Sequence, residues 1–427
     1  MNATIIFLIL LVLMLTGMPI SISLGLTVLT FLFGFTHVPL ESVALKLFTG
    51  IEKFEIMAIP FFILAGNFLT HGGVARRMIN FATAMVGHWY GGLGLGGVLA
   101  CALFAAVSGS SPATVVAIGS ILLPAMVKAG FPNKFGAGVI TTSGALGILI
   151  PPSIVMVMYS VATNTSVGAL FMAGVVPGLA LAGVLGGVTY WRARKFNYPR
   201  LPKASWGERW QAFRASAWGL LLIVIVMGGI YAGVFTPTEA AAMSAVYAFF
   251  VAVFIYKDMG LKDVPKVLLN SANMSAMLLY IITNAVLFSF IMTNENIPQA
   301  LADWMLGNGL GVITFLLAVN VILLLAGNFM EPSSIVLIFA PILFPVAMKL
   351  GIDPVHFGII MVVNMEVGMC HPPVGLNLYV ASGITKMGIT ELTVAVWPWL
   401  LAMLGFLAVV TYWPGLSLWF PRMLGMM

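Results

Sequence analysis

The chain has 427 residues, of which 61% are hydrophobic and only 7% charged, with a formal net charge of +6 and a mean hydropathy of +1.09. A soluble domain carries about 25% charged residues, and no soluble core of this size hides so much apolar surface, so the composition excludes a soluble globular protein. The strand alternation of a membrane β-barrel is missing, and two cysteines in apolar context, Cys101 and Cys370, make neither a disulfide framework nor a metal cluster.

What remains is an all-α polytopic membrane protein with spans of about 20 residues. Residues 3–35 are almost unbroken apolar sequence interrupted at Gly17-Met18-Pro19, which predicts two short helices or one kinked one. The run starts near Met1 without a basic flank or a cleavage site, so it reads as a retained helix. From His37 to Glu55 the pattern is polar and mildly amphipathic, with Phe48, Ile51 and Phe54 on one side and Glu52 and Lys53 on another; this suits a helix lying at the interface. An apolar run to Asn67 and a turn at Thr70-His71-Gly72-Gly73 follow. The glycine-dense stretch 91–97 lacks the lysine of a phosphate loop and reads as close helix packing.

Two breakable points then come in quick succession. Ser108-Gly109-Ser110-Ser111-Pro112 separates two apolar arms, predicting a helical hairpin over 93–127, and Gly147-Ile148-Leu149-Ile150-Pro151-Pro152-Ser153 interrupts a helix over 135–162. Breaking a helix in hydrocarbon is costly, because the freed amides and carbonyls find no water. A span over 167–191 leads to a polar segment, 192–214, which holds Arg192, Arg194, Lys195, Arg200, Lys203, Arg209 and Arg214 against Glu208 alone. The excess of positive charge assigns this loop to the cytoplasm, with anionic lipid headgroups as neighbours.

The loop divides the chain into a first half, 1–191, and a second, 215–427. Spans near 216–235, 240–256 and 273–292 precede a polar connection at Asn294–Asp303. A second hairpin, 309–348, turns at Gly327-Asn328-Phe329-Met330-Glu331-Pro332-Ser333-Ser334, and a second broken helix, 355–382, is interrupted at Gly368-Met369-Cys370-His371-Pro372-Pro373-Val374-Gly375. Residues 393–413 form the last span, and Trp397, Trp399, Trp413 and Trp419 mark interfaces beside it. The units repeat: Pro124 to Pro151 is 27 positions, as is Pro345 to Pro372, and Gly130 and Gly351 each fall six residues after the aligned proline. Interrupted helices at corresponding places in two halves are the sequence signature of a transporter site.

The polar residues at these breaks are the candidates for function. Ser108, Ser110, Ser111 and Thr114, with Thr141, Thr142 and Ser143, offer hydroxyls beside freed carbonyls, the donor set of a small hard cation such as Na⁺, while helix N-terminal amides suit a carboxylate; taken singly, each also suits hydrogen bonding to its own helix. Asn164 joins them if its helix end folds inward. In the second half the candidates are Asn328, Glu331, Ser333, Ser334, Asn364, Glu366 and His371. Ionisable residues inside an apolar span point to function; Glu331, just before Pro332, is placed either to cap the next helix or to couple to an ion. His356, near Asp353, reads as structural. Gly-x-Ser-x-Gly is not satisfied around Ser110, so the chain reads as no enzyme, and without a nucleotide motif its energy must come from an ion gradient or another chain.

The sequence resembles the large membrane subunit, of the dicarboxylate type, of the tripartite ATP-independent periplasmic (TRAP) transporters. Carrying the resemblance are Pro60–Gly66, Ser108–Ser111, Gly147–Ser153, Leu170–Gly178 and Pro372–Gly375, and it extends over essentially the whole chain. His371 departs from it, standing where a threonine is expected. The resemblance implies inverted repeats with two re-entrant hairpins and two broken helices, interleaved scaffold and transport elements, and an elevator-type ion transporter. It places sodium at Ser108, Gly109, Ser110, Gly147 and Pro151 in one repeat, and at Gly327, Asn328, Gly368 and His371 in the other. An organic anion is implied near Ser110, Ser111, Pro112, Pro152, Ser333, Ser334 and Pro373. It further implies Na⁺ as coupling ion and no other cofactor, a small four-helix membrane subunit, a periplasmic solute-binding protein that delivers a carboxylate, no nucleic acid, and residence in the bacterial inner membrane. The alternatives are a stand-alone sodium/anion symporter and a channel or non-transporting assembly subunit; the sequence does not choose the carboxylate.

Overall fold

The computed structural model describes residues 2–36 and 39–426, so His37, the expected start of the amphipathic segment, lies outside the described residues. Every regular element among them is helical. The first half runs through α1 (Asn2–Leu15), α2 (Ile20–Phe35), α3 (Leu40–Thr49), a 3-10 turn (Phe54–Met57) leading into α4 (Ala58–His71), α5 (Val74–Val86), α6 (Gly92–Ser108), α7 (Ser111–Lys128), α8 (Asn133–Ser143) with a 3-10 extension (Gly144–Ile148), α9 (Ile154–Thr163) and α10 (Val167–Lys195). The second half runs through α11 (Trp206–Tyr231), α12 (Pro237–Phe250) with a π-helical end (Val251–Ile255), α13 (Val264–Asn294), α14 (Ile297–Gly307), α15 (Val312–Gly327), α16 (Pro332–Lys349), α17 (Pro354–Cys370), α18 (Leu376–Thr385), α19 (Ile389–Tyr412) and α20 (Gly415–Met423). Among the described residues, eight helices are long and apolar enough to cross a membrane.

Packing partners are exchanged between the halves. α1 lies on α2 as α11 lies on α12, and α4 packs on α12 as α13 packs on α2. α7, the second arm of the first hairpin, packs on α8 and on α18; α16, the second arm of the other hairpin, packs on α17 and on α9. α19 covers α8, and α10 covers α17. Each broken helix therefore sits between its own hairpin and the opposite one, and neither half has a separate core. The short pieces explain why: α9 has 10 residues, about 15 Å of helix, half of a bilayer's hydrocarbon of about 30 Å. Such a piece needs neighbours on all sides to cover its open ends.

Several boundaries differ from the sequence reading, each for a local reason. The segment 192–214 is mostly helical: α10 continues to Lys195, α11 begins at Trp206, and only 196–205 is irregular. Ser205 caps α11 reciprocally with Glu208, the serine amide donating to Oε2 at 2.6 Å and the Glu208 amide to Oγ at 3.2 Å. The connection is tied down, because the Leu201 amide donates to the Gly87 carbonyl at 3.0 Å and the Tyr198 ring meets Phe135 edge-on at 4.7 Å. The segment after the turn at 70–73, to which the sequence reading gives no element, is the helix α5, and most of the expected polar connection Asn294–Asp303 lies in the helix α14. α5 buries Val74, Ala75, Met78, Ile79 and Ala82 along one face, and Arg76 and Arg77 both pair with Asp258. Trp399, expected at an interface, is fully buried and donates from Nε1 to Thr189 Oγ1 at 2.9 Å.

Candidate functional site

The two breaks of the first half meet. α6 ends on Gly109, whose φ of +60° turns the chain left-handed, a conformation that glycine adopts at no steric cost. Ser110 is extended, and α7 restarts at Ser111 with Pro112 at its first turn, where a missing amide costs nothing. This tip lies against the second break: a Cβ on Gly147 would stand 2.5 Å from the Ser110 carbonyl oxygen and 2.8 Å from the Ser111 Cα, and one on Gly109 would stand 2.9 Å from the Pro152 carbonyl oxygen. Only glycine at 147 permits that approach. Ser153 closes the break itself, donating to the Ile148 carbonyl at 2.6 Å and accepting from the Met156 amide at 3.3 Å.

Oxygen atoms collect at this junction. Ser108 Oγ lies 2.9 Å from Thr114 Oγ1 and 3.3 Å from the Ser110 carbonyl, which also accepts from Thr114 Oγ1 at 2.8 Å. Ser108, Ser111, Thr114, Pro151, Pro152 and Ser153 are buried, and Ser110 and Pro112 are partly exposed. Hydroxyls and carbonyls are the donors a hard cation takes.

The second half repeats the meeting with different side chains. Gly327, which closes the first arm of its hairpin, and Gly368 of α17 touch backbone to backbone; a Cβ on either would stand 2.9 or 3.0 Å from the other's Cα. Asn328 reaches into the break, its amide group 2.9 Å from Nδ1 of His371. Turned one way, Nδ2 donates to the main-chain carbonyls of His371 at 3.1 Å and Pro372 at 3.0 Å. Turned the other way, Oδ1 would face the same two carbonyls acceptor to acceptor, so the donating orientation is the one that satisfies the amide. Ser333 and Ser334 are buried, whereas Pro373 and Phe329 are exposed at this end.

Other candidates have local duties. Glu331 caps α16, accepting from the Ser334 amide at 3.1 Å and its hydroxyl at 3.0 Å. Thr141 and Thr142 donate to Ala137 and Gly138 of their own helix. Asn364 donates to the Asn320 side chain at 2.9 Å and its carbonyl at 3.0 Å, and His356 sits 2.7 Å from Ser417 Oγ. Asn164 ends α9 and accepts from Lys53 Nζ at 2.8 Å, which also donates to the Val161 carbonyl at 2.5 Å; this lies at the far end of α9 from the break. Burial holds the Lys53 pKa below the usual lysine value, with Glu55 opposing. Glu366 is fully buried with neither carboxylate oxygen hydrogen bonded, and Ser143 Oγ is likewise unpartnered.

Sequence reasoning passed over Asn377. It lies in the first turn of α18, is fully buried, and faces the first hairpin's Ser111: Nδ2 donates to Ser111 Oγ at 2.7 Å, Ser111 Oγ lies 3.0 Å from Oδ1, and Nδ2 is 3.4 Å from the Thr141 carbonyl. An asparagine two residues after Pro372-Pro373-Val374-Gly375, in an otherwise apolar run, is the signal that was there to read.

Comparison with known proteins gives a consistent picture. A family model described as "Tripartite ATP-independent periplasmic transporter, DctM component" matches residues 7–416. A relative from Rhodobacter capsulatus named C4-dicarboxylate TRAP transporter large permease protein DctM is 77% identical over the full length of both chains, and one of the same name from Pseudomonas aeruginosa is 56% identical over 95% of each. An isethionate TRAP transporter permease protein DctMQ from Oleidesulfovibrio alaskensis is 42% identical over 95% of this chain and 64% of its own. In fold, the chain is similar to the YdaH transporter of Alcanivorax borkumensis, with a TM-score of 0.62 and 16% identity over 88% of this chain and 89% of that one.

Proposed function

Because this chain belongs to the DctM family of tripartite ATP-independent periplasmic transporters, we propose that it is the large permease of a sodium-driven importer of C4-dicarboxylates. The substrate follows the names of the 77% and 56% identical relatives. The observation that carries the ion coupling is the seating of each hairpin in its own broken helix, at Gly147 against Ser110 and at Gly327 against Gly368. Each junction gathers oxygen donors. At the first these are Ser108 Oγ, Thr114 Oγ1 and the Ser110 and Pro152 carbonyls; at the second they are the carbonyls of His371 and Pro372, held by the Asn328 amide. Bound there, Na⁺ supplies positive charge that offsets the desolvation of a dianion. The chain's part is to orient the oxygens, exclude water and present the amides that start α7 to a carboxylate; those that start α16 are already held by Glu331. In this reading Ser110 and Pro112, partly exposed, border the anion together with Ser333 and the exposed Pro373. His371 takes part through its carbonyl, a role indifferent to its departure from threonine.

In this reading the two halves are inverted repeats, the hairpins and broken helices move as a transport body, and α1, α2, α11 and α12 belong to the scaffold. The basic helix ends around 192–214 face the cytoplasm of the inner membrane. A small membrane subunit braces the scaffold, and a periplasmic binding protein hands over the anion. The test is uptake of labelled succinate into liposomes carrying this chain, its small subunit and its binding protein, with and without an inward sodium gradient. Uptake that needs sodium and the binding protein supports the reading. Equal uptake by this chain alone makes it a stand-alone symporter, and sodium-independent uptake ends the coupling.

A further inference from the structure

The two junctions are joined by a polar clamp. Ser111 belongs to the first hairpin and Asn377 to the second broken helix, 266 positions away in sequence. The amide and hydroxyl are within hydrogen-bond distance at two atom pairs, 2.7 and 3.0 Å, and both residues are fully buried. Asn377 Nδ2 also lies 3.4 Å from the Thr141 carbonyl and 3.8 Å from Cys370 Sγ, and Cys370 Sγ donates to that same carbonyl at 3.5 Å. The clamp thus ties the residue next to Ser110, at the first junction, to the residues that flank His371 and Pro372, at the second. Under the exchange that relates the halves, with Pro151 matching Pro372, Asn377 corresponds to Met156, which has no such group to offer. The contact of α16 with α9 is therefore made without a matching amide, and among the described residues the amide link is seen on one side.

Two consequences follow from the chemistry. The Ser111 hydroxyl is committed to Asn377 and buried, so it is not a free ligand for a carboxylate. And because burying an amide without partners costs more than its hydrogen bonds gain, the hairpin tip and α18 hold one relative position or both lose their partners. We propose that Asn377 is a positioning residue that makes the two sodium junctions one mechanical unit, so that filling one raises the affinity of the other. The proposal rests on the sodium-coupled reading above, and it adds a cooperativity and a residue responsible for it.

The experiment is a sodium titration of succinate uptake in liposomes holding the complete transporter, for the wild type, Asn377→Ala, Ser111→Ala and the double variant. Sodium-induced thermal stabilisation of the purified protein is a second readout that needs no transport. The expected result is a Hill coefficient above 1 in the wild type that falls toward 1 in each single variant. The half-saturating sodium concentration should rise about three- to tenfold, more than the half-saturating succinate concentration does at saturating sodium. The double variant should be no worse than the worse single, as for two ends of one contact. If Asn377→Ala does not insert, Ser111→Ala tests the same clamp from its smaller side. Unchanged Hill coefficient and sodium affinity in either folded variant, or additive effects in the double, would overturn the proposal while leaving sodium coupling intact. Sodium-independent uptake by the wild type would overturn both.

Discussion

A methyl group at residue 147 is the sharpest probe of the first junction. In Gly147→Ala the new Cβ would lie 2.5 Å from the Ser110 carbonyl oxygen, 2.7 Å from its carbon and 2.8 Å from the Ser111 Cα. All three are backbone atoms of a hairpin tip, so no side chain can rotate away. Carbon atoms rest about 3.5–4.0 Å apart, so the tip must retreat by roughly 1 Å. Overpacking of this kind costs about 1–3 kcal/mol, and a shift of about 1 Å takes the Ser110 carbonyl out of a cation's coordination distance. The expected outcome is a rise of at least about tenfold in half-saturating sodium for succinate uptake, with a modest fall in melting temperature. Gly183→Ala on α10 is the matched control: a Cβ there meets nothing within 4 Å, and alanine in a helix gains about 0.5–1 kcal/mol over glycine. Sodium affinity in Gly147→Ala equal to that of the control, in a protein that melts normally, would refute the claim that this contact shapes an ion site.

Other substitutions extend the argument. Gly368→Ala sets a methyl 3.0 Å from the Gly327 Cα and should lower sodium affinity as Gly147→Ala does; a null result in the same titration would detach the second junction from coupling. Asn328→Leu removes the group that reaches the His371 and Pro372 carbonyls, and uptake should fall by more than tenfold while membrane insertion, followed by fluorescence of a fused reporter, stays intact. Lys53→Gln gives up the ammonium that caps the end of α9, and should cost about 1–2 kcal/mol of stability in a denaturation midpoint. Lys53 also sets a pH dependence of known sign. Its folded pKa lies below its unfolded value, so the unfolded chain holds that proton more firmly, and stability should rise with pH in the window just below the ordinary lysine value of about 10.4. The rise should be absent in Lys53→Gln; an identical slope in both would assign it elsewhere.

What the sequence made legible was punctuation. Gly109 with Pro112, Pro151-Pro152, Asn328 with Pro332 and Pro372-Pro373 interrupt apolar runs, and backbone chemistry forbids a continuous helix through them. The equal spacing of Pro124–Pro151 and Pro345–Pro372 signalled duplication for the same reason. Legibility failed where a residue's duty depends on a distant partner. Ser111 looked like a ligand because its own surroundings are polar; only Asn377, brought in by the packing of α18 on α7, shows that its hydroxyl is taken. Glu331 stood between two roles until the Ser334 amide was seen to lie 3.1 Å from its carboxylate. α5 escaped because Arg76 and Arg77 dilute its apolar signal, although its buried positions recur with helical period. Trp399 escaped because tryptophan near a chain end suggests an interface, and nothing local reveals that Thr189 waits for its indole N–H.

The duplication also explains why the two junctions need not act alike. Their frames are the same, a glycine of the broken helix pressed on a hairpin end, because the backbone approach leaves no room for side chains. The side chains around the frames have diverged. Ser108 and Thr114 form a sealed hydroxyl pair at the first, whereas Asn328 and His371 form a larger amide–imidazole pair at the second, beside the exposed Phe329 and Pro373. A short hydroxyl held by its own turn has little freedom. The Asn328 amide donates to the His371 and Pro372 carbonyls and so holds the second break closed by itself. The proposed role of the Asn377 clamp fits this divergence: it links two junctions that share a backbone frame but differ in their side chains.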